Sequence, residues 1–367
     1  MDKKLRIIGI GALIVLWVCL GVFAWFSPQK EMSLSERRPL QKMPELSLQI
    51  LQNGNFTEKF ENYTLDQFPL RDSFRTVKSL FAYKVLGQKD NNGIYIADGY
   101  AAKLEYPLNT TSVSYALKRF ETIYTKYLAD SGSRIYMTVI PDKGYYLAEE
   151  NGYLSMDYEA LQLKITAGMP WATHIDITGT LDITDYYRTD THWRQEKLMD
   201  TANALCQAME LPEIPEADYT TTLVTQQFYG VYYGQTALPM QPEELYILES
   251  PWLANCRVYN YETKAYGPVY DLQKLSGTDP YDVYLSGPQA LLTIENPNAK
   301  TDRELIVFRD SFGSALAPLL VQNYRTVTLV DTRYISTDLL DQYLTFHGQD
   351  ILFAYSTLLL NNSISLK

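Results

Sequence analysis

Hydrophobic patterning divides this chain into three parts. The first is an unbroken apolar run, Ile7 to Phe26, about twenty residues without a charge. That is long enough to cross a bilayer as one helix. Lys3, Lys4 and Arg6 precede it, so the positive-inside rule leaves a short cytoplasmic N-terminus and places everything after Ser27 outside. The run closes as Val22-Phe-Ala-Trp-Phe-Ser27 with no small-x-small site, so an uncleaved anchor is expected over residues 1–26 rather than a signal peptide. The second part, 27–105, is polar and mixed and is expected to pack as a juxtamembrane segment on the domain that follows. In it, the spacing from Phe74 to Leu86 predicts a helix, and Gly93-Ile-Tyr-Ile-Ala-Asp98-Gly99 predicts a strand entering a tight turn.

The third part, 106–367, alternates between two periods. Val113–Leu128 and Tyr158–Gly168 have helical spacing; Arg134–Ile140 and Thr173–Thr178 read as strands. A helix is expected from Trp193 to about Glu210. From about 212 to 300 the alternation breaks into a stretch rich in Tyr, Thr, Gly and Pro, expected to be a β-rich insertion and a substrate wall. It then resumes: strand Glu304–Arg309, helix around 313–323, strand Thr326–Val330, helix around 337–346, strand Asp350–Tyr355. Such alternation predicts an α/β domain with a mainly parallel sheet covered by helices.

Composition narrows the function. The net charge of -11 argues against nucleic acid, whose phosphates need a basic footprint. Three cysteines, Cys19, Cys206 and Cys256, make neither a disulfide framework nor a metal cluster, although a Cys206–Cys256 bridge is open. The 30 tyrosines suit a sugar-binding surface and equally suit ordinary β packing. No Walker loop, dinucleotide fingerprint or paired-histidine metal motif occurs, so no cofactor and no metal are expected.

Only three histidines are present: His174, His192 and His347. His192 alone has a carboxylate beside it, in Asp190-Thr-His192-Trp. Far downstream, the apolar strand ending at Arg309 gives way to Asp310-Ser311-Phe312-Gly313 and a helix. In open α/β sheets reactive groups gather at the carboxyl ends of strands. Ser311 as nucleophile, His192 as base and Asp190 as orienting acid would fit that arrangement. The amides of Phe312 and Gly313, at a helix start, would then serve an oxyanion. Gly313 would let a substrate approach the backbone closely. The plain alternative is that Asp310 or Ser311 caps one helix and Asp190 or Thr191 another. Arg333, after the next strand, is either an anion or oxyanion binder or half of a structural ion pair. His174 and His347 are expected to stay outside the chemistry.

These residues resemble the signature of the DHHW proteins and the related alginate O-acetyltransferases, with Thr191 where the name has His. Phe68-Pro-Leu-Arg-Asp72, Asp279-Pro-Tyr-Asp-Val-Tyr-Leu-Ser-Gly287, Arg309-Asp-Ser-Phe312 and Val327-Thr-Leu-Val-Asp-Thr-Arg333-Tyr334 resemble the same family, in order. The resemblance implies an SGNH-hydrolase-like three-layer sandwich in which the Asp–His pair precedes the serine. By position it makes Ser311, His192 and Asp190 catalytic, with Arg333 and Tyr334 as further substrate candidates. It implies an extracytoplasmic O-acetyltransferase or acetylesterase acting on an exopolysaccharide or wall polymer. The polysaccharide is the acceptor, and a membrane-bound O-acyltransferase is the expected acetyl supplier. The Gly-x-Asn-Asp oxyanion motif of ordinary SGNH enzymes is absent; Tyr355-Ser356 stands at the strand end where it would fall, which makes Tyr355 a candidate. The rival reading is a non-catalytic polysaccharide-binding or assembly protein that keeps the fold alone.

Overall fold

The structure, a computed structural model, describes residues 3–33, 35–46 and 55–367. Met1 and Asp2, part of the expected cytoplasmic tip, and Leu34 and 47–54, within the expected juxtamembrane segment, lie outside the described residues. The chain divides into two units, Met1–Gln88 with Gly234–Pro239, and Lys89–Tyr233 with Met240–Lys367.

In the first unit the apolar run forms one helix, Lys3–Phe26, long and apolar enough to cross a membrane. Anchors and signal sequences both meet that test. Two further helices follow, Asn55–Asp66 and Arg71–Lys84. They are tied to the chain before them by charge. Arg38 grips Asp66 with both terminal nitrogens and holds that carboxyl down to about 2. Arg71 pairs with Glu36, and Ser35 donates to Asp72 at 3.0 Å. The stretch Phe68–Asp72 is therefore a structural clasp. Gly234 closes it: Arg75 donates to its carbonyl at 2.7 Å, and a Cβ at Gly234 would fall 1.4 Å from the Ser35 carbonyl oxygen.

The second unit is built on an eight-stranded sheet. Its strands in chain order are β1 (Arg134–Ile140), β2 (Thr173–His174), β3 (Arg257–Asn260), β4 (Ala265–Gly267), β5 (Leu291–Glu295), β6 (Glu304–Arg309), β7 (Thr326–Val330) and β8 (Asp350–Ser356). They lie in the order β4-β3-β5-β7-β6-β8-β1-β2. From β7 to β2 all neighbours are parallel; β5, β3 and β4 continue the sheet antiparallel. The central strands lack polar alternation because both faces are covered. Leu305 and Val307 of β6 join one core, with the helices Met199–Ala208 and Gly313–Leu320. Ile306 and Phe308 join the other, with Thr110–Ile123, Tyr158–Gly168 and Thr357–Asn361. Helices on both faces of one mixed, mostly parallel sheet make the layers.

Several elements depart from expectation, each for a visible reason. The strand at Thr173 stops at His174, because Asp176 turns the chain by accepting the Thr178 amide at 2.9 Å and its hydroxyl at 2.7 Å. No helix starts at Trp193. Trp193 pairs with Tyr186 in a bridge, Gln195–Lys197 is a single 3₁₀ turn, and the helix begins at Met199. Thr337–Gln342 is likewise a 3₁₀ turn rather than a longer helix. The stretch 212–300 is not one separate wall. Thr220–Phe228 and Glu243–Glu249 pair as their own hairpin, while β3, β4 and β5 extend the main sheet. The hairpin Ile94–Ala97 and Tyr100–Lys103, turning through left-handed Asp98 and Gly99, belongs to the second unit. Cys206 and Cys256 are free and buried.

Candidate active site

Ser311 follows β6, at the carboxyl end of the parallel strands, and is half-buried. The turn that presents it is set by Asp310. One carboxylate oxygen of Asp310 accepts the Phe312 amide at 3.0 Å; the other accepts the Ser356 amide at 2.8 Å and hydroxyl at 2.6 Å. The end of β8 thus holds the loop after β6. Neither Asp310 nor Ser311 caps the helix that follows: its N-cap is Phe312, with no side-chain cap bond, and Asp310 takes the amide of Phe312 itself.

His192 reaches Ser311 from a loop 119 residues earlier, with Nε2 2.8 Å from Oγ. Its Nδ1 lies 2.6 Å from Asp190 Oδ1, which also accepts the His192 amide at 3.0 Å. With Nδ1–H given to the carboxylate, Nε2 is left as the acceptor for the Ser311 hydroxyl. Asp190 is fully buried, and its second oxygen accepts the Val231 amide at 2.8 Å. The loop around it is clamped from outside. Glu243 accepts the amides of Arg188 and Thr189 at 2.7 and 2.8 Å and the Thr189 hydroxyl at 2.7 Å. Lys143, buried, donates to the carbonyls of Tyr187 and Arg188 at 2.8 and 3.3 Å. Burial pushes its ammonium down to about 7, against the opposing pull of Asp190 and Glu243. Gly230 lies flat against Asp190, so that a Cβ there would fall 2.3 Å from the Asp190 Cα.

The two halves are stitched beside the dyad. Trp193 Nε1 donates to the Phe312 carbonyl at 3.1 Å, and Gln195 Nε2 to the Ala315 carbonyl at 2.9 Å. Gln195 Oε1 also accepts the Leu248 amide at 2.9 Å. Both of its amide atoms are therefore spent on tertiary bonds, and the backbone before it is committed as well, the His192 carbonyl to the Tyr187 amide at 3.1 Å and the Arg194 amide to the Asp185 carbonyl at 2.7 Å, so no helix starts there.

The other expected groups fall elsewhere. The Phe312 amide is taken by Asp310, and the Gly313 amide bonds to the Asp310 carbonyl at 3.2 Å, so neither points to open space. Gly313 is required by packing: a Cβ there would meet the Arg309 side chain at 2.7 Å. Arg333 is the structural ion pair, forked onto Asp331 at 2.9 and 2.6 Å. Burial works against its charge, but Asp331 outweighs it and holds the guanidinium above its ordinary value. Tyr334 is 49% exposed, with Arg333 over its ring at 5.4 Å. Tyr355 is fully buried in the core, stacked on Phe120, and its hydroxyl meets that of Thr332 at 3.3 Å. It points into packing because β8 alternates and its odd-numbered residues face that core. His174 bonds to the Met169 carbonyl, and His347 lies beside Glu304 at the opposite end of β6. Among the described residues no cluster of His, Cys, Asp and Glu is placed to hold a metal ion. Sequence reasoning left the roles of Glu243, Gly230 and Tyr281 unassigned and gave Asp310 only as a candidate helix cap; the neighbourhood of Asp310 to Ser311 was the one local signal.

Comparison with known proteins places this fold. A DHHW family protein from Eubacterium siraeum aligns with a TM-score of 0.60 at 22% identity, over 75% of this chain and 95% of its own. Bacillus cereus PatB1, solved with a sulfonyl adduct, aligns with a TM-score of 0.57 at 17% identity, over 73% of this chain and 97% of its own. Both share the fold. No curated protein matches. The family model described as DHHW protein matches residues 181–330, the stretch that carries Asp190, His192 and Ser311.

Proposed function

We propose that this chain is a serine-dependent O-acetyltransferase or acetylesterase of SGNH-hydrolase-like fold, acting outside the membrane on a polysaccharide. The observation that carries the proposal is the single imidazole bridging Asp190 at 2.6 Å and Ser311 at 2.8 Å. Ser311 Oγ attacks the acyl carbonyl carbon while its proton passes to His192 Nε2. The tetrahedral adduct collapses, the donor's oxygen leaves with that proton, and the acyl group stays on Ser311. An acceptor hydroxyl then attacks the acyl-serine, again giving its proton to Nε2; collapse returns that proton to Ser311 Oγ and releases the new ester. Water in place of the acceptor makes the same site an esterase. Asp190 keeps Nδ1 protonated and faces the positive charge that forms on the ring. The resemblance to alginate O-acetyltransferases supports acetyl as the group and a polysaccharide as the acceptor. A membrane-bound O-acyltransferase would supply acetyl groups at the outer face, and the N-terminal helix would tether the site there.

A binding or assembly role is the second reading. It is favoured by the occupied amides of Phe312 and Gly313, the two donors expected to serve an oxyanion. The experiment that decides is direct. The full chain in detergent is given p-nitrophenyl acetate with and without an oligosaccharide acceptor, and separately a sulfonyl fluoride, the reagent class suggested by the adduct on PatB1. Hydrolysis, acetylated oligosaccharide and a sulfonyl mark on Ser311, all absent in Ser311→Ala, are expected. Undiminished turnover in Ser311→Ala would remove the mechanism, and no turnover in either protein would put the binding reading first.

A further inference from the structure

The stretch Asp279–Gly287 resembles its family closely yet has no part in the proton path. The structure places its Tyr281 ring flat on the imidazole of His192, centroids 3.9 Å apart and planes within 7°. Phe312 closes the other approach, tilted by 55° at 5.0 Å. We propose that Tyr281 is the positioning residue of the site: its aromatic face fixes the plane of the His192 ring and stabilises the ring when it takes up the serine proton. This rests on the proposed role of His192 as base.

Two hydrogen bonds alone do not fix an imidazole. Those of His192 act in the ring plane, and the terminal torsion of a histidine side chain is broad, so small tilts of the ring stay soft. A flat partner at contact distance removes that freedom. The same face carries negative charge density, and a cation over it is attracted most strongly where water is excluded. Water is excluded here, since Tyr281 is 4% and His192 7% exposed.

The loop that carries Tyr281 is built for rigidity. Asp279 accepts the Tyr281 amide at 3.0 Å and opens a 3₁₀ turn over Pro280–Val283. Tyr284 meets Tyr281 edge-on at 4.9 Å. The chain then passes through three successive left-handed residues, Leu285, Ser286 and Gly287, at φ 56°, 60° and 82°. Two of these are costly for a side chain. They are held by Leu285 N–H on the Val269 carbonyl at 3.0 Å and Ser286 Oγ on Asp271 at 3.0 Å. A Cβ at Gly287 would meet the Asp282 carboxylate at 2.4 Å, so the turn accepts only glycine there. Among the described residues the Tyr281 hydroxyl has no hydrogen-bond partner. The face, and not the hydroxyl, is therefore the part in use. The charged groups about the ring pair are Asp190, Asp279, Asp310 and, behind Asp190, Lys143; the test leaves all four in place.

The test compares Tyr281→Phe with Tyr281→Leu and Tyr281→Met in the full chain, the last two differing in shape in case one fails to fold. Each is measured twice, by steady-state acetyl transfer or hydrolysis and by an NMR pH titration of the three histidines labelled at Cε1. The expected result is wild-type behaviour in Tyr281→Phe. Tyr281→Leu and Tyr281→Met should lose about tenfold in kcat, the size of a desolvated cation–π contact, with KM within about twofold. In them the His192 signal should titrate at lower pH than in the wild type, while His174 and His347 do not move. A Leu or Met variant with unchanged kcat and unchanged His192 titration would overturn the proposal, as would a Phe variant as impaired as Leu, which would assign the effect to the hydroxyl. If the wild type proves inactive, the proposed function fails, yet the titration still decides whether the stack acts on the imidazole.

Discussion

Gly230→Ala is the sharpest perturbation available at this site, because it adds one methyl group and changes no polar atom. Gly230 has no left-handed backbone angle, so alanine costs nothing in conformation there. The whole effect is contact. The new Cβ would stand 2.3 Å from Asp190 Cα, 2.3 Å from its Cβ and 2.4 Å from its nitrogen, whereas ordinary contact begins at 3.4 Å. Asp190 and the 230 loop must therefore separate by about 1.1 Å. Backbone on both sides leaves no flexible end to yield. The Asp190–His192 bond of 2.6 Å and the Val231–Asp190 bond of 2.8 Å depend on that same gap. A misplacement of about 1 Å at a reacting centre costs about a hundredfold in rate, and overpacking costs about 1–3 kcal/mol in stability. The assay is kcat/KM for acetyl hydrolysis, beside urea unfolding. Gly179→Ala serves as the control, since a Cβ there meets nothing within 4 Å. Gly230→Ala within threefold of the wild-type rate would refute the claim that the orienting carboxylate is positioned by this backbone contact.

Three further outcomes follow from the same geometry. Both oxygens of Asp190 accept, from His192 on one side and Val231 on the other, and in Asp190→Asn one of them becomes a donor. Either orientation sets donor against donor, so the rate should fall about 10⁴-fold and urea unfolding should show a loss of about 1–3 kcal/mol. Lys143, ordinarily near 10.5 and pushed down to about 7 by burial, binds a proton in the unfolded chain that the folded chain has released across that window. Its contribution to stability therefore rises with pH from about 7 to 10.5 and is flat below; in Lys143→Met that slope should vanish from a pH series of unfolding curves, and an unchanged slope would remove the assignment. Gln195→Ala should cost about 1–3 kcal/mol for each partner left unsatisfied, Ala315 carbonyl and Leu248 amide, with the loss in rate exceeding that of Ala substitutions elsewhere on the 195–197 turn.

The central strands are legible in the sequence because their signal is local. Ile135–Ile140, Leu305–Phe308 and Ile351–Tyr355 are short apolar runs buried on both faces, and such runs need no partner to be recognised. Asp190 and His192 are legible as a pair because they stand two positions apart. What fails locally is whatever is decided at a distance. Trp193–Leu198 has helical spacing, yet its side chains are claimed by Phe312, Ala315 and Leu248. The amides of Phe312 and Gly313 look free at a helix start, and only the folded turn shows Asp310 filling them. Tyr281 stands 89 positions from His192 and Gly230 stands 40 from Asp190; no window of sequence contains either contact.

The stitching between the two halves explains how so distant a pair can stay in line. His192 meets Ser311, Trp193 meets Phe312 and Gln195 meets Ala315, so three side chains on one short segment engage three sites on the other in the same order. The last two are side-chain-to-backbone bonds made by buried groups, Trp193 and Gln195 being fully buried. Breaking either strands a buried donor, which costs more than the bond itself contributes. The pair proposed to react, by contrast, shares a side-chain-to-side-chain contact of 2.8 Å on a half-buried serine. Rigidity and reactivity thus fall on different residues of the same segment. In the proposed mechanism Ser311 Oγ trades its partner while Trp193 and Gln195 hold the register.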